Sequence, residues 1–184
     1  MPRFELSDDV QLRSLTEADV KELYALIEAN RSYLAPWMPW AAGQTADGTA
    51  EFVRKSIKQE ADDDGFQVAV IVDGAIAGVL GHEVDRENRT TTIGYWLAED
   101  QQGRGLMTAA VKRLLEHAFD ELRLNRVGIE VAPNNPRSRA LAERLGFREE
   151  GVLREAERFA DDDYRDLVLY SMLASEWSRG ASRG

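Results

Sequence analysis

The sequence predicts an α/β (α+β) fold in a single domain. Three observations carry that expectation: a meander of three β-branched segments, a glycine-rich turn that opens an amphipathic helix, and a length of 184 residues, enough for one buried core. Val10 to Leu15 alternates apolar and polar side chains and reads as the first strand. Thr16 then caps a helix with Asp19 in its first turn and Leu23, Ala25, Leu26 and Ile27 as its apolar stripe. Tyr33 to Trp40 is aromatic and is interrupted by Pro36 and Pro39, which predicts an ordered loop. A second helix is expected from about Thr49 to Glu60, with Phe52, Val53 and Ile57 on one face and the run Asp62 to Gly65 as its end.

Phe66 to Val72, Ala75 to Val84 and Thr90 to Ala98 follow as strands, joined first by the hairpin turn Asp73-Gly74 and then by a polar turn over Asp85 to Asn88. The turn from Gln101 to Gly105 opens a helix reaching about Leu122, in which Met107, Val111, Leu114, Leu115, Ala118 and Leu122 share a face. Val127 to Val131 reads as a short buried strand, and Pro136 to Leu145 as a short helix closed by Gly146. The last strands are expected near Phe147 to Glu155 and Asp166 to Leu173, with Asp161 to Asp163 between them. The acidic runs at Asp62 and Asp161 read as solvated turns. Ser178 to Gly184 reads as a flexible tail, which leaves a domain of residues 1–177.

Composition excludes several kinds of chemistry. Without cysteine there is no disulfide, thiolate metal site or thiol nucleophile, and two histidines make a multi-histidine metal site unexpected. No apolar run approaches the ~20 residues of a membrane helix. The start, Met1 to Asp9, lacks the basic and apolar regions of a signal peptide, so a cytoplasmic protein is expected. A net charge of -10 disfavours nucleic acid as a partner. The charge is uneven, however: nine basic against five acidic residues lie between Gln101 and Arg148. That local excess suits a small phosphorylated ligand, and equally an ordinary mixed-charge helix surface.

Two motifs carry chemistry. Gly103 and Gly105 let the backbone turn tightly and approach a ligand, and the helix behind them offers unpaired N–H groups, a cradle for a pyrophosphate. It is no Walker loop, because no Gly-Lys-Ser/Thr follows, and Thr108 stands where a dinucleotide fingerprint has its third glycine. In the second motif, Asn135 is a good helix cap and Pro136 suits the first helical position. The same helix start also suits a cleft, where Asn135 would hold a ligand amide and Ser138 would give a proton to a leaving group. His82, at a strand end, reads as packed or surface-lying more readily than as catalytic.

Taken together and in order, Ile93 to Leu97, Gln102 to Thr108, Asn135 to Ser138 and Leu141 to Phe147 resemble the GNAT acetyltransferase superfamily. Pro36 to Trp40 and Gly94 to Trp96 look most like its RimJ/RimL branch, which acetylates protein N-termini. The resemblance implies a twisted mixed, mostly antiparallel sheet of six to seven strands with about four helices. It implies acetyl-CoA as co-substrate, in a split between the strand ending at Ala98 and the one ending near Ala132. Gln102, Gly103, Arg104, Gly105, Leu106, Met107 and Thr108 would bind the pyrophosphate, and Trp96, Leu97 and Ala98 the pantetheine arm, together with Asn135. Ser138 would protonate the departing thiolate, an amide near Leu97 would hold the oxyanion, and Arg104, Arg137 and Arg139 are the candidates for phosphate charge.

The chain departs from the family pattern at three places: Asp100 stands in place of a glutamine or arginine, Ala142 in place of a tyrosine acid, and Thr92 in place of a glutamate base. The base is therefore unassigned, with Glu83 and Glu99 the carboxylates nearest in sequence and a water chain as the alternative. On the acceptor side, Tyr33, Trp37, Trp40 and Glu83 are candidates, although the aromatics also suit a core plug. The acceptor expected is a protein or peptide α-amine; a small amine such as a polyamine, amino acid or antibiotic, and a non-catalytic acyl-CoA-binding module, stay open. No metal or membrane partner is expected, and a homodimer is plausible from the family.

Overall fold

The computed structural model describes residues 2–159 and 163–181. Among them are eight strands and six α-helices, two more of each than the lower bound of strands and the number of helices implied by the resemblance. The strand order is β1-β2-β3-β4-β5-β6-β8-β7. The chain divides into two compact units, Met1–His82 with Tyr95–Val111 and Glu83–Gly94 with Lys112–Gly184. Strands β4 (Ala75–Asp85) and β5 (Thr90–Leu97) contribute residues to both.

In the first unit, β1 (Arg3–Ser7) pairs antiparallel with β2 (Val10–Ser14), which pairs antiparallel with β3 (Gly65–Val72). β1 is absent from the sequence reading, because its exposed, alternating residues have no continuous apolar signal. Helix α1 (Val20–Leu34) buries Leu23, Ile27 and Leu34 against Val53 of α3 (Ala46–Ala61) and against Ala69, Ile71, Ile76 and Val79. Each such aliphatic side chain contributes about 1.5–3 kcal/mol on full burial. Thr16, with extended backbone, caps the 3-10 turn Glu17–Asp19 that leads into α1, and Asp19 forms a capping box with it. The Asp19 carboxylate, 5% exposed, accepts from the Thr16 N–H at 2.7 Å and its hydroxyl at 2.9 Å. Arg13 grips the same carboxylate with both guanidinium nitrogens, at 2.8 and 2.7 Å. Burial pushes the Asp19 carboxyl up, and the Arg13 and Thr16 donors outweigh it and hold it below its usual value.

The aromatic segment is not wholly a loop. α1 runs through Tyr33 to Leu34, and Pro39 opens a one-turn helix, α2 (Pro39–Ala42), where a proline at the first helical position costs no hydrogen bond. α3 begins three residues before its expected start, because the Thr45 hydroxyl accepts from the Gly48 N–H. Asp73 and Gly74 both have positive φ, the turn conformation expected for a two-residue hairpin. β4 and β5 approach so closely at Gly78 that an added Cβ would lie 2.2 Å from the Trp96 carbonyl oxygen.

In the second unit, β5 runs parallel to β6 (Arg126–Val131) from Thr90↔Arg126 to Ile93↔Ile129. A parallel pair needs a crossover, and the chain supplies it through α4 (Leu106–Glu116) and a π-helical turn over His117–Glu121, so the α-helix ends before the expected Leu122. β6 pairs antiparallel with β8 (Tyr164–Leu173), and β8 with the edge strand β7 (Arg148–Arg158), whose register shifts twice. Arg126 of β6 and Ser171 of β8 both donate to the Glu150 carboxylate of β7, at 2.7 and 2.6 Å, a polar stitch across three strands. α5 (Pro136–Arg144) is followed by Gly146 at φ 89, as its terminal glycine predicts. α6 (Ala174–Ala181) carries helical backbone into the expected tail, and its Trp177 stacks on Phe119 at 5.9 Å. Residues 182–184, Asp161 and Asp162 lie outside the described residues; Asp62 to Asp64 are exposed, as expected. Among the described residues, no helix is long and apolar enough to cross a membrane.

Gly78→Ala is expected to force β4 and β5 apart and destabilise the protein by on the order of 3 kcal/mol, seen as a lower Tm. Gly94→Ala, where nothing lies within 4 Å of the new Cβ, is the control and should leave Tm nearly unchanged. A second expectation concerns pH. Arg126 first, and Ser171 second, hold the Glu150 carboxyl at about 2 against the usual 4.5. Because the folded value is depressed, the pair's stabilisation is fully present above pH 4.5 and is lost as pH falls through about 2. Thermal melts of Glu150→Gln should therefore show a Tm deficit at neutral pH that closes towards pH 2.

Candidate active site

The first unit holds the glycine loop. The ladder with β6 ends at Ile93, so Gly94 to Leu97 lie beyond it. Trp96 and Ala98 are buried, Leu97 is half-buried, and the Ala98 N–H donates to the Ala77 carbonyl at 2.8 Å. A 3-10 turn over Glu99–Gln101 follows, tied to α1 where the Glu99 N–H donates to Asn30 Oδ1 at 2.9 Å. Gly103 and Gly105 have φ of 73 and 75, and nothing lies within 4 Å of a Cβ at either. Backbone conformation, not space, is what requires glycine at both. The first helical bond of α4 runs from the Ala109 N–H to the Gly105 carbonyl at 3.0 Å. The Leu106 and Met107 amides precede it and have no partner within the helix, where the dipole is positive. The Leu106 and Met107 side chains are buried, so these residues offer a ligand only backbone; Thr108 is half-buried. Arg104 is exposed and donates to Gln101 at 2.6 Å.

The same unit brings two acceptor candidates onto this loop. The Gln102 side chain donates to the Tyr33 hydroxyl at the end of α1. Trp40 of α2 is 39% exposed, and its ring lies 6.1 Å from Trp96, tilted by 56°. Tyr33 also packs against the core, so it serves both as plug and as loop contact. Trp37, half-buried between α1 and α2, has no contact of either kind described. His82 is buried edge-on against Phe66 at 4.4 Å, a packed core residue.

The second unit holds Asn135, Ser138 and Glu83. Asn135 caps α5: its Oδ1 accepts the Ser138 N–H at 3.2 Å, with Pro136 at the first helical position. Both residues are half-buried. Arg139 is engaged within the unit, donating to the Tyr170 hydroxyl at 3.0 Å and the Glu149 carboxylate at 3.0 Å, which removes it from the residues available to a phosphate. Arg137 is exposed. Glu83 is exposed at the end of β4, where its carbonyl accepts the Thr91 hydroxyl. Glu157 of β7 is half-buried, and its carboxyl is raised by burial first and by Glu130 second, against Arg165.

Asn135→Ala should cost about 1 kcal/mol of stability through loss of the cap, read as a fall in the midpoint of urea unfolding.

Residues 9–148 match the acetyltransferase (GNAT) domain family. YdaF of Bacillus subtilis (strain 168), a putative ribosomal N-acetyltransferase, is 36% identical over 178 residues, covering 94% of this chain and 95% of that protein. RimL, a ribosomal L7/L12 α-N-protein acetyltransferase solved with coenzyme A, has a TM-score of 0.88 at 26% identity over 94% of this chain and 98% of that one. The microcin C7 self-immunity acetyltransferase MccE, solved with acetyl-CoA and AMP, has a TM-score of 0.86 at 29% identity over 91% and 94%. A glycine loop opening α4, a family match over most of the chain and a relative matching along nearly its whole length agree: the chain belongs to the GNAT acetyltransferase family and takes acetyl-CoA as its acyl donor.

Proposed function

We propose that the protein acetylates the α-amine of a protein or peptide N-terminus by direct transfer from acetyl-CoA. The observation that carries this reading lies in the first unit, where Gln102 of the glycine loop bonds Tyr33 and Trp40 rests on Trp96. A loop suited to phosphate thus bonds one aromatic acceptor candidate, and the strand before it packs against another. The similarity to YdaF and RimL, both named for ribosomal acceptors, supports the α-amine. The reading includes one acetyltransferase domain over residues 1–177, a cytoplasmic location and a homodimer, without nucleic acid.

In this mechanism the backbone of Gln102 to Thr108 holds the pyrophosphate, with Arg104 adding charge, and strand amides over Trp96 to Ala98 hold the pantetheine arm. Asn135 adds its side-chain amide to that arm while its Oδ1 accepts the Ser138 N–H. An α-amine, with a pKa of ~8, sheds its proton with little help at neutral pH. That proton leaves through a water chain, or to Glu83 or Glu99, the carboxylates nearest in sequence. The neutral nitrogen attacks the thioester carbonyl carbon, and an amide near Leu97 stabilises the oxyanion. Collapse breaks the C–S bond; Ser138 protonates the departing thiolate and is reprotonated, through water, by the proton that the new amide nitrogen sheds. Tyr33, Trp37, Trp40 and Glu83 form the acceptor side.

A small-molecule amine is the second reading, favoured by MccE, which is solved with AMP. A free-thiol release assay separates the two: release with free N-terminal peptides, and none with the same peptides blocked, supports the α-amine. Release with polyamines or aminoglycosides alone overturns it. Within the active pairing, Ser138→Ala should lower kcat on the order of 100-fold with coenzyme binding retained. An unchanged kcat would leave Ser138 a helix residue only.

A further inference from the structure

The last turns of α1 make contacts in two directions. Asn30 accepts the Glu99 N–H at 2.9 Å, and the Tyr33 hydroxyl accepts from Gln102, so this side of the helix holds the approach to the glycine loop. Arg31 reaches towards α2 instead. Its Nη1 donates to the carbonyls of Ala41 and, at 2.8 Å, Ala42. Its Nη2 donates to the Gln44 carbonyl at 2.6 Å and to the Glu28 carboxylate. The carbonyls it grips lie at the end of α2 and in the turn after it, where helix carbonyls have no donor of their own. A helix of four residues has almost no internal hydrogen bonding to hold it. The segment carrying Trp40 therefore depends on an outside clamp. A planar guanidinium can bond three carbonyls and a carboxylate together, whereas an ammonium cannot match that fork.

We propose that Arg31 is a positioning residue for acceptor recognition, clamping residues 39–44 so that Trp40 stays on Trp96, and so setting acceptor affinity without touching the acetyl-CoA loop. This rests on the reading of the aromatic surface as the acceptor side. The clamp makes acceptor and coenzyme sites separately adjustable. Asn30 holds the approach to the glycine loop, Arg31 holds the Trp40 segment, and both hang from one helix.

The test uses the full chain as Arg31→Ala, Arg31→Lys and Trp40→Ala, with the acceptor that the thiol-release panel identifies. In both Arg31 variants, hydrogen exchange at residues 39–46 should quicken while the β3 amides keep their protection. The acceptor KM should rise about tenfold with the acetyl-CoA KM within about twofold of the parent. Arg31→Lys, which keeps the charge facing Glu28 but not the fork, serves if the alanine variant folds poorly. Unchanged exchange at 39–46, or both KM values rising together, overturns the proposal. If Trp40→Ala raises the acceptor KM and the Arg31 variants do not, the clamp is rejected and the acceptor reading stands. If Trp40→Ala leaves the acceptor KM unmoved, the acceptor reading falls, and the Arg31 proposal falls with it.

Discussion

The carboxylate of Asp19 is the constraint from which the first unit is built. It is buried, it carries a charge, and only four donors make that tolerable: two from Arg13 and two from Thr16. A buried charge lacking such partners would cost several kcal/mol. Because Arg13 lies on β2 and Asp19 directly precedes α1, the cluster fixes where and in which direction that helix leaves the sheet. Everything α1 then positions follows from its period. Leu23, Ile27 and Leu34 form the buried stripe, Glu22 accepts the Ile76 N–H at 2.6 Å, and Asn30 and Tyr33 meet the glycine-loop region. Arg31, at about 100° per residue, leaves on the other flank of the stripe towards α2.

The second unit depends on a different device. Its edge strand β7 is exposed along nearly its whole length and shifts register twice, so a regular ladder contributes less there than side-chain bonding does. The Arg126–Glu150–Ser171 stitch ties β6, β7 and β8, and Tyr170, buried on β8, joins Arg139 and Glu143 of α5 to Glu149 of β7. The helix start that carries Asn135 and Ser138 is thereby attached to the sheet by charged hydrogen bonds as well as by Leu141 and Ala142 in the core. The register shifts and the charged residues of β7 also make that edge a poor template for pairing with another strand.

Charge is used economically in this molecule. The basic excess between Gln101 and Arg148 suggested a phosphate region, yet Arg126, Arg139 and Arg113 are committed to Glu150, Glu149 and Glu121. The residues of the glycine loop that remain exposed are Gly103, Arg104 and Gly105. In the proposed mechanism, recognition of a pyrophosphate therefore falls mainly on backbone amides and the α4 dipole rather than on a cluster of arginines.

By itself the sequence determined the order of most elements, the Asp73-Gly74 hairpin, the glycine loop and the Asn135 cap. Each of these is written locally, in a periodicity or in a residue with special backbone freedom. The family was legible for the same reason, since four such local motifs fall in one order. Tertiary structure decided what depends on distant partners. β1 exists because β2 offers it an edge. α2 holds because Arg31 reaches its carbonyls. His82 is a core residue because Phe66 covers it, and the Glu157 carboxyl is raised because burial and Glu130 act on it. Arg139 and Arg104 are alike in sequence, and only packing assigns one to Tyr170 and leaves the other exposed beside Gln101. A hydrogen-bond partner far along the chain leaves no periodicity to read, so the residues that position the site had to come from the fold.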